Sequence, residues 1–329
     1  MKKVMEKNSI FYHVLKGKFS KFSAKTKSSR KLSLPKQIGV YRLLEIVKHH
    51  RYLRFQLGIY QDNRGNKFFA KQFSKINPGP DYYWLSNEIN VYSELNSLYA
   101  KYGEKITNKF PRIKIPKLVK VFEDDKRLIM LLELVGGTPL HKFGPDKAIN
   151  IYDELFEYFK FIGSMFDKKK LGQRTNKYFL LTYPILALKS FIKYPYARGL
   201  VVRSTIVFFS AVPTLLRHQK LSFVHRDLNQ LNILLDKETI WLIDFEYAVL
   251  TNPLIEVIHV VMRSWHREDF RDKFINSWVE ENLTKNFEAL QTYKSLALYS
   301  AMLDLAVGDK VQSRNAYSFI SSTINLETS

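Results

Sequence analysis

The spacing of apolar and polar positions changes character along the chain. From Val40 to Phe73 the residues are those of strands, rich in aromatic and β-branched side chains. Val40–Ile46, Tyr52–Tyr60 and Lys67–Phe73 each read as one strand, with the turn residues Asp62-Asn63-Arg64-Gly65-Asn66 before the third. After Pro78-Gly79-Pro80 the apolar step becomes three and four, with Leu85, Ile89, Tyr92 and Leu95 on one face of a helix from about Tyr83 to Tyr102. Lys117–Phe122, the turn Glu123-Asp124-Asp125 and Arg127–Leu134 then predict a hairpin. Three strands, a helix and two strands make a small α+β lobe, residues 37–135.

Beyond Gly136-Gly137 the pattern is mostly helical and predicts a second lobe, residues 136–329. Ala148–Phe166 is amphipathic. Residues 178–220 are apolar and aromatic, and Pro184, Pro195 and Pro213 divide them into two or three helices. Two short strands flank a polar loop near 222–244, and Phe274–Asn282 and Phe287–Leu305 read as closing helices. Residues 1–36 read as a basic flexible arm that closes at Pro35.

Composition narrows the chemistry. The 329 residues suit about two domains or lobes. With no cysteine, disulfides, thiolate catalysis, Cys-bound zinc and iron–sulfur clusters are all excluded. The eight histidines show no tight ligand spacing, so no structural metal site is expected. The formal net charge is +21, and residues 1–36 hold ten lysines and Arg30 against the single acid Glu6. Such a charge concentrates anions, among them nucleotides, phosphorylated substrates, acidic glycans and anionic lipid. Tyr12, Phe19 and Phe22 stand between lysines of the arm, which suits an anionic membrane surface as well as it suits a solvated tail. No specific nucleic acid is expected, because the charge comes without a recognition motif. The longest uncharged apolar stretch in mid-chain, Ser204–Leu216, has 13 residues, against about 20 for a membrane span. Lys16, Lys18 and Lys21 break any apolar core of a secretory signal. These features point to the cytoplasm, with the inner face of a membrane as the second location.

The most specific segment runs from Phe223 to Tyr247. His225-Arg226-Asp227, then Asn232, then Asp244 behind the apolar strand Ile240–Ile243, has the order and spacing of a phosphotransfer site. An Asp on a rigid loop orients an acceptor hydroxyl and accepts its proton, which assigns Asp227 as the catalytic base. An amide and a second carboxylate, Asn232 and Asp244, hold Mg²⁺ against the nucleotide phosphates. Ahead of them, Lys71 in the strand Phe69-Ala70-Lys71 and Glu88 on the following helix have the order of a phosphate-binding lysine and its carboxylate partner. Glu133-Leu134-Val135 before Gly136-Gly137 has the position of a hinge that offers backbone groups to adenine, so Glu133 and Val135 join the ATP-binding set on position alone.

On these residues the chain resembles the aminoglycoside phosphotransferase and choline kinase superfamily. Asp244-Phe245-Glu246-Tyr247 is similar to the Asp-Phe-Glu-Tyr of choline and ethanolamine kinases, and Val135-Gly136-Gly137-Thr138-Pro139-Leu140 to the segment after the hinge. Asp227–Leu235 and Trp241–Phe245 also resemble the Kdo kinases of lipopolysaccharide synthesis. The resemblance spans roughly residues 38–265. It implies a two-lobed, protein-kinase-like α+β fold and an ATP- and Mg²⁺-dependent kinase acting on a hydroxyl of a small molecule or glycan.

The chain departs from the pattern in three places. No Gly-rich loop precedes Lys71, and the turn Val47-Lys48-His49-His50-Arg51 offers cationic side chains instead. Arg226 stands where the small-molecule kinases commonly have Gly. Glu256 stands where the family often has an Asp that braces the catalytic loop. A protein kinase is disfavoured, because no Ala-Pro-Glu follows Asp244 and an apolar run begins at Leu254. Two alternatives remain: a kinase for a lipid-linked or lipopolysaccharide-core sugar at the membrane surface, and a pseudokinase that binds without turnover.

Overall fold

The structure is a computed structural model that describes residues 33–47, 55–75, 80–167, 171–217, 221–284, 286–308 and 310–325. Most of the basic arm, and the turn holding His50 and Arg51, lie outside the described residues.

The chain begins with β1 (Gln37–Ile38), β2 (Tyr41–Val47), β3 (Gln56–Gln61) and β4 (Lys67–Ser74), followed by α1 (Pro80–Lys109). Next come β5 (Ile113–Lys114), β6 (Leu118–Glu123), β7 (Arg127–Glu133) and β8 (Thr138–Pro139). The helical part opens with α2 (Pro145–Gly163), then β9 (Gln173–Arg174), α3 (Asn176–Lys193), α4 (Arg198–Ser210) and α5 (Val212–Arg217). The strands β10 (Ser222–Val224), β11 (Ile233–Asp236), β12 (Thr239–Leu242) and β13 (Val249–Thr251) carry the polar segment. The chain continues through α6 (Leu254–Arg263), α7 (Glu268–Phe274), a π-helical stretch Ile275–Thr284, α8 (Phe287–Val307) and α9 (Lys310–Ile324). This is the two-lobed α+β fold expected from the sequence.

Two compact units divide the described residues. One takes those within Lys25–Lys142 and Gln230–Ala248, the other those within Phe143–Asn229 and Val249–Ser329.

The first unit is built on a six-stranded antiparallel sheet in the order β1-β2-β3-β4-β7-β6. Strand alternation sends Tyr60, Ala70, Ile129 and Leu131 into one core with Leu34 and Ile38. The Tyr60 hydroxyl donates to the Pro35 carbonyl at 2.7 Å, which satisfies its one buried polar group. Helix α1 runs further than the spacing predicts, but it loses helical geometry at Tyr102, next to Gly103, where the predicted helix ends. A smaller sheet, in the order β5-β12-β11-β8, holds the hairpin β11–β12. Gly137 lies at φ +139°, and a Cβ there would come within 2.9 Å of the Leu235 carbonyl oxygen. Only glycine allows that approach of β8 to β11.

The second unit packs around α8, which is buried on nearly every side, with Leu290, Tyr293, Leu296, Leu298 and Met302 among its buried residues. A helix apolar all round belongs in an interior, and α3, α4, α6 and α9 surround it. The chain does not close on α8: α9 buries Ser313, Ala316, Phe319, Ile320 and Thr323. Its polar composition hides that face from a hydrophobicity pattern. The predicted helix from Phe274 is divided between the end of α7 and the π-helical stretch. Phe270, Phe274 and Trp278, four residues apart, stack in a row beside Tyr152 and Phe156 of α2. The wider winding keeps Trp278 in that row. No helix among the described residues is long and apolar enough to cross a membrane.

Candidate active site

In the first unit the functional side chains gather around one lysine. Lys71 pairs in register with Leu57 on β3 and Met130 on β7, so its backbone is fixed from both sides. Its side chain is buried, with Nζ 4.5 Å from the centroid of the Phe55 ring. Nζ donates to Glu88 Oε2 at 2.7 Å and Asp244 Oδ1 at 2.8 Å, and Glu246 Oε2 lies at 3.4 Å. Lys71 and Glu88, paired by their order in the sequence, thus meet Asp244 of the phosphotransfer segment.

The electrostatics follow from this crowding. Burial alone would lower the Lys71 pKa, but the three carboxylates hold it well above the ordinary lysine range. Burial, with Asp244 and Glu246 close by, pushes the Glu88 carboxyl up to about 8 against the pull of Lys71. Even with Glu88 protonated, one ammonium does not balance the carboxylates of Asp244 and Glu246, and the surplus negative charge suits a hard divalent cation. Asp244 is the accessible member, its side chain 34% exposed, while Glu88 and Glu246 are buried. Its backbone has φ +65°, a left-handed geometry that Asp tolerates better than most residues. Asn232 enters β11 beside it: the Asn232 carbonyl accepts the N–H of Ile243 at 3.1 Å, one residue before Asp244. The Asp244 carboxylate, with the amide that the sequence assigns at Asn232, offers hard oxygen donors of the kind Mg²⁺ takes.

Helix α1 also clamps the segment after Asp244. Asn87 Nδ2 donates to the carbonyls of Glu246 and Ala248, both at 3.0 Å. Tyr92 packs edge-on against Phe245, and Trp84 lies 5.3 Å from Tyr247. Neither Asn87 nor the carboxylate of Glu246 was legible as a site residue. The available signal was the alternation of Asp244 and Glu246, two residues apart in an extended segment. Glu133 and Val135 lie away from this cluster along the chain, at the end of β7. The Glu133 N–H donates to the Lys117 carbonyl at 2.9 Å. Val135, past the strand end, makes no backbone hydrogen bond among the described residues.

Asp227 belongs to the second unit. Strand β10 leads into His225 and Arg226, whose N–H groups both donate to Glu256 Oε2, that of Arg226 at 3.2 Å. The Arg226 carbonyl meets His259 Nδ1, so Nδ1 carries the proton. Burial, and then the charges of Arg226 and Arg263, hold His259 well below the ordinary histidine range, which makes it a neutral donor at pH 7. Tyr152 donates to the Leu228 carbonyl at 3.1 Å. Both sides of Asp227 are therefore anchored by buried side chains. Arg263 Nε stands 3.5 Å from Asp227 Oδ1, and its Nη1 3.7 Å from Asp304 Oδ2. Arg263 and Asp304 line a cavity of about 150 Å³ with Gln312, Asn315 and Phe319. Sequence reasoning missed this group, because Arg263 and Asp304 are brought together only by the packing of α6 on α8.

Glu256 carries a pH dependence. Burial raises its carboxyl to about 7 despite the two N–H donors, and its Oε1 has no hydrogen-bond partner among the described residues. An acid whose folded pKa lies above its unfolded value binds protons more tightly when folded. Its stabilising contribution is complete below pH 4.5 and is lost as pH rises to about 7. Glu256→Gln mimics the protonated form, so the variant should lose about 3 kcal/mol less than wild type between pH 4.5 and 8. Urea unfolding at the two pH values checks this, and parallel losses would show that Glu256 does not titrate there.

Arg226 has φ +64°, which glycine adopts without strain. Arg226→Gly should leave urea stability within about 1 kcal/mol, since relief of strain offsets the added freedom of the unfolded chain. It should also keep substantial turnover in an ADP-release assay, because the N–H and carbonyl that Glu256 and His259 hold are retained.

Residues 203–299 match the model of the phosphotransferase enzyme family, a span that includes Asp227, Asn232, Asp244, Glu256 and Arg263. No curated protein sequence matches the chain. Among solved structures, a thermostable mutant of the aminoglycoside phosphotransferase APH(4)-Ia, in ternary complex with AMP-PNP and hygromycin B, is similar with a TM-score of 0.60. Its sequence identity is 11%, over 86% of this chain and 94% of that one. A fructosamine-3-kinase homologue from Thermobifida fusca YX-ER1 gives a TM-score of 0.55 at 14% identity, over 87% and 95%. The amicoumacin kinase hAmiN, in complex with AMP-PNP, Ca²⁺ and Ami, gives 0.51 at 12%, over 85% and 88%. The fold is that of the aminoglycoside phosphotransferases and related kinases.

Proposed function

We propose that the protein is an ATP- and Mg²⁺-dependent phosphotransferase that phosphorylates a hydroxyl group of a small molecule or sugar. The observation that carries this reading is Lys71 held between Glu88 and Asp244 within one unit. Lys71 supplies positive charge to the nucleotide phosphates, and Glu88 keeps it aimed. Asn232 and Asp244 hold the metal, whose charge, when bound, draws off the negative charge that builds on the phosphates. The Glu133 carbonyl and the Val135 N–H face the adenine edge. Asp227 orients the acceptor hydroxyl and takes its proton as that oxygen bonds to the γ-phosphorus and the bond to ADP breaks.

The cavity beside Arg263 offers hydrogen-bonding groups to one part of an acceptor. Asp304, Gln312 and Asn315 offer hydrogen bonds from its wall, and Phe319 offers an apolar face. Similar folds have been crystallised with hygromycin B and with Ami, so such compounds are tested early among the acceptors. A screen for ADP release across aminoglycosides, choline and ethanolamine, monosaccharides and lipopolysaccharide-core sugars tests the reading. ADP release that requires both an acceptor and Mg²⁺ supports it. Mg-ATP binding without turnover on any acceptor would favour the pseudokinase reading instead.

A further inference from the structure

Three neighbouring helices of the second unit present an unusual outer face. On α3 the exposed positions are Lys177, Leu181, Pro184, Leu188, Ile192 and Lys193, at steps of about one helical turn. Leu181 is 71% exposed, Leu188 61% and Ile192 67%. On α4, which packs against α3, the exposed positions include Val202, Ile206 at 65% and Phe209, flanked by Arg198 and Arg203. Tyr196 between them and Leu216 on α5 are exposed as well. Helix α2 of the same unit shows the ordinary pattern: its exposed residues are Asp146, Lys147, Asn150, Asp153, Glu157 and Lys160. Single exposed leucines need no explanation. A stripe continued across neighbouring helices marks an interaction surface.

The charge around the stripe selects the occupant. Helices α3 to α5 carry no acid and six lysines and arginines, Lys177, Lys189, Lys193, Arg198, Arg203 and Arg217. Burial and the charge of Lys193 press Lys189, beside the stripe, below the ordinary lysine range, a crowding that a nearby anion relieves. A second copy would set this basic face against another basic face. The chain's own residues 1–36 are basic as well. Apolar side chains flanked by the exposed Lys177, Lys193, Arg198 and Arg203 match a bilayer surface with anionic headgroups.

We infer that the outer face of α3–α5 is a docking surface for an anionic lipid bilayer, entered by Leu181, Leu188, Ile192, Ile206 and Phe209, with the flanking Lys and Arg at headgroup level. The helices lie on the membrane and do not cross it. The surface is formed by residues other than those of the basic arm and does not depend on the phosphotransferase reading.

The test is flotation of the full chain with vesicles rich in phosphatidylglycerol and, separately, with pure phosphatidylcholine. Wild type should float with the first and remain below the second. The triple variant Leu188→Ser, Ile192→Ser, Ile206→Ser keeps every charge and should partition at least about tenfold more weakly. All three sites are exposed, so its melting temperature should match that of wild type. If the triple variant melts early, the single variants Leu188→Ser and Ile206→Ser read the same face, each giving part of the loss. Equal partition of wild type and triple variant would place binding in bulk charge or in the arm and overturn the inference. Equal flotation with both lipids, no flotation at all, or a dimer that the triple variant abolishes without any lipid binding would overturn it too.

Discussion

Asp227→Asn should turn over at least about a hundredfold more slowly than wild type while binding ATP with unchanged affinity. A positioned general base contributes about 10²–10⁴-fold, and the substitution keeps the shape of the side chain while removing its basicity. The loop should not move, because what positions it is untouched: Glu256 holds the N–H groups of His225 and Arg226, and Tyr152 holds the Leu228 carbonyl. Arg263 loses one carboxylate but keeps Asp304. Lys71, Asn232 and Asp244, assigned to the nucleotide, are unchanged, so the defect should appear in kcat and spare ATP affinity. ADP production with the acceptor found in the screen, alongside nucleotide titration, makes the measurement. A variant as fast as wild type would remove Asp227 from the role of base.

Asp244→Ala should abolish the thermal stabilisation that Mg-ATP gives the wild-type protein. At a ligand concentration a hundred times its Kd, binding stabilises a protein by about 2.7 kcal/mol. For a chain of this size that corresponds to several degrees in Tm. The metal needs the accessible carboxylate, and Glu88 and Glu246 are buried beside Lys71. Without ligand, the same variant should stay within about 1 kcal/mol of wild type. Lys71 keeps two carboxylate partners, and the repulsion among three is relieved. Differential scanning fluorimetry with and without Mg²⁺ and ATP separates the two effects. A variant that still shows the full Mg-ATP shift would take Asp244 out of the metal site, and one that melts far below wild type would make it a structural residue.

Much of this protein could be read from local patterns, for identifiable reasons. Strand and helix content along residues 40–134 was legible because side-chain spacing and β-branched content act within a few residues. The phosphotransfer segment was legible because Asp227, Asn232 and Asp244 fall within one loop-and-hairpin stretch whose spacing is itself the signal. Lys71 and Glu88 needed only their order on adjacent elements.

Other features depend on groups that are distant in sequence. Glu246 became a third partner of Lys71 only when β4, α1 and the segment after β12 converged, 175 residues apart along the chain. Asn87 became a clamp in the same way. Arg263 and Asp304 met because α6 packs on the buried helix α8. The apolar run through residues 178–220 predicted packed helices, and packing decided which of its described side chains stayed outside. Leu186 went into the core and Leu188 into solvent, although the two are the same residue two positions apart. Local spacing is set by the geometry of one helix or strand, and the sequence carries that directly. Burial, charge pairing and exposure are set by what the rest of the chain brings alongside, and only the folded structure decides them.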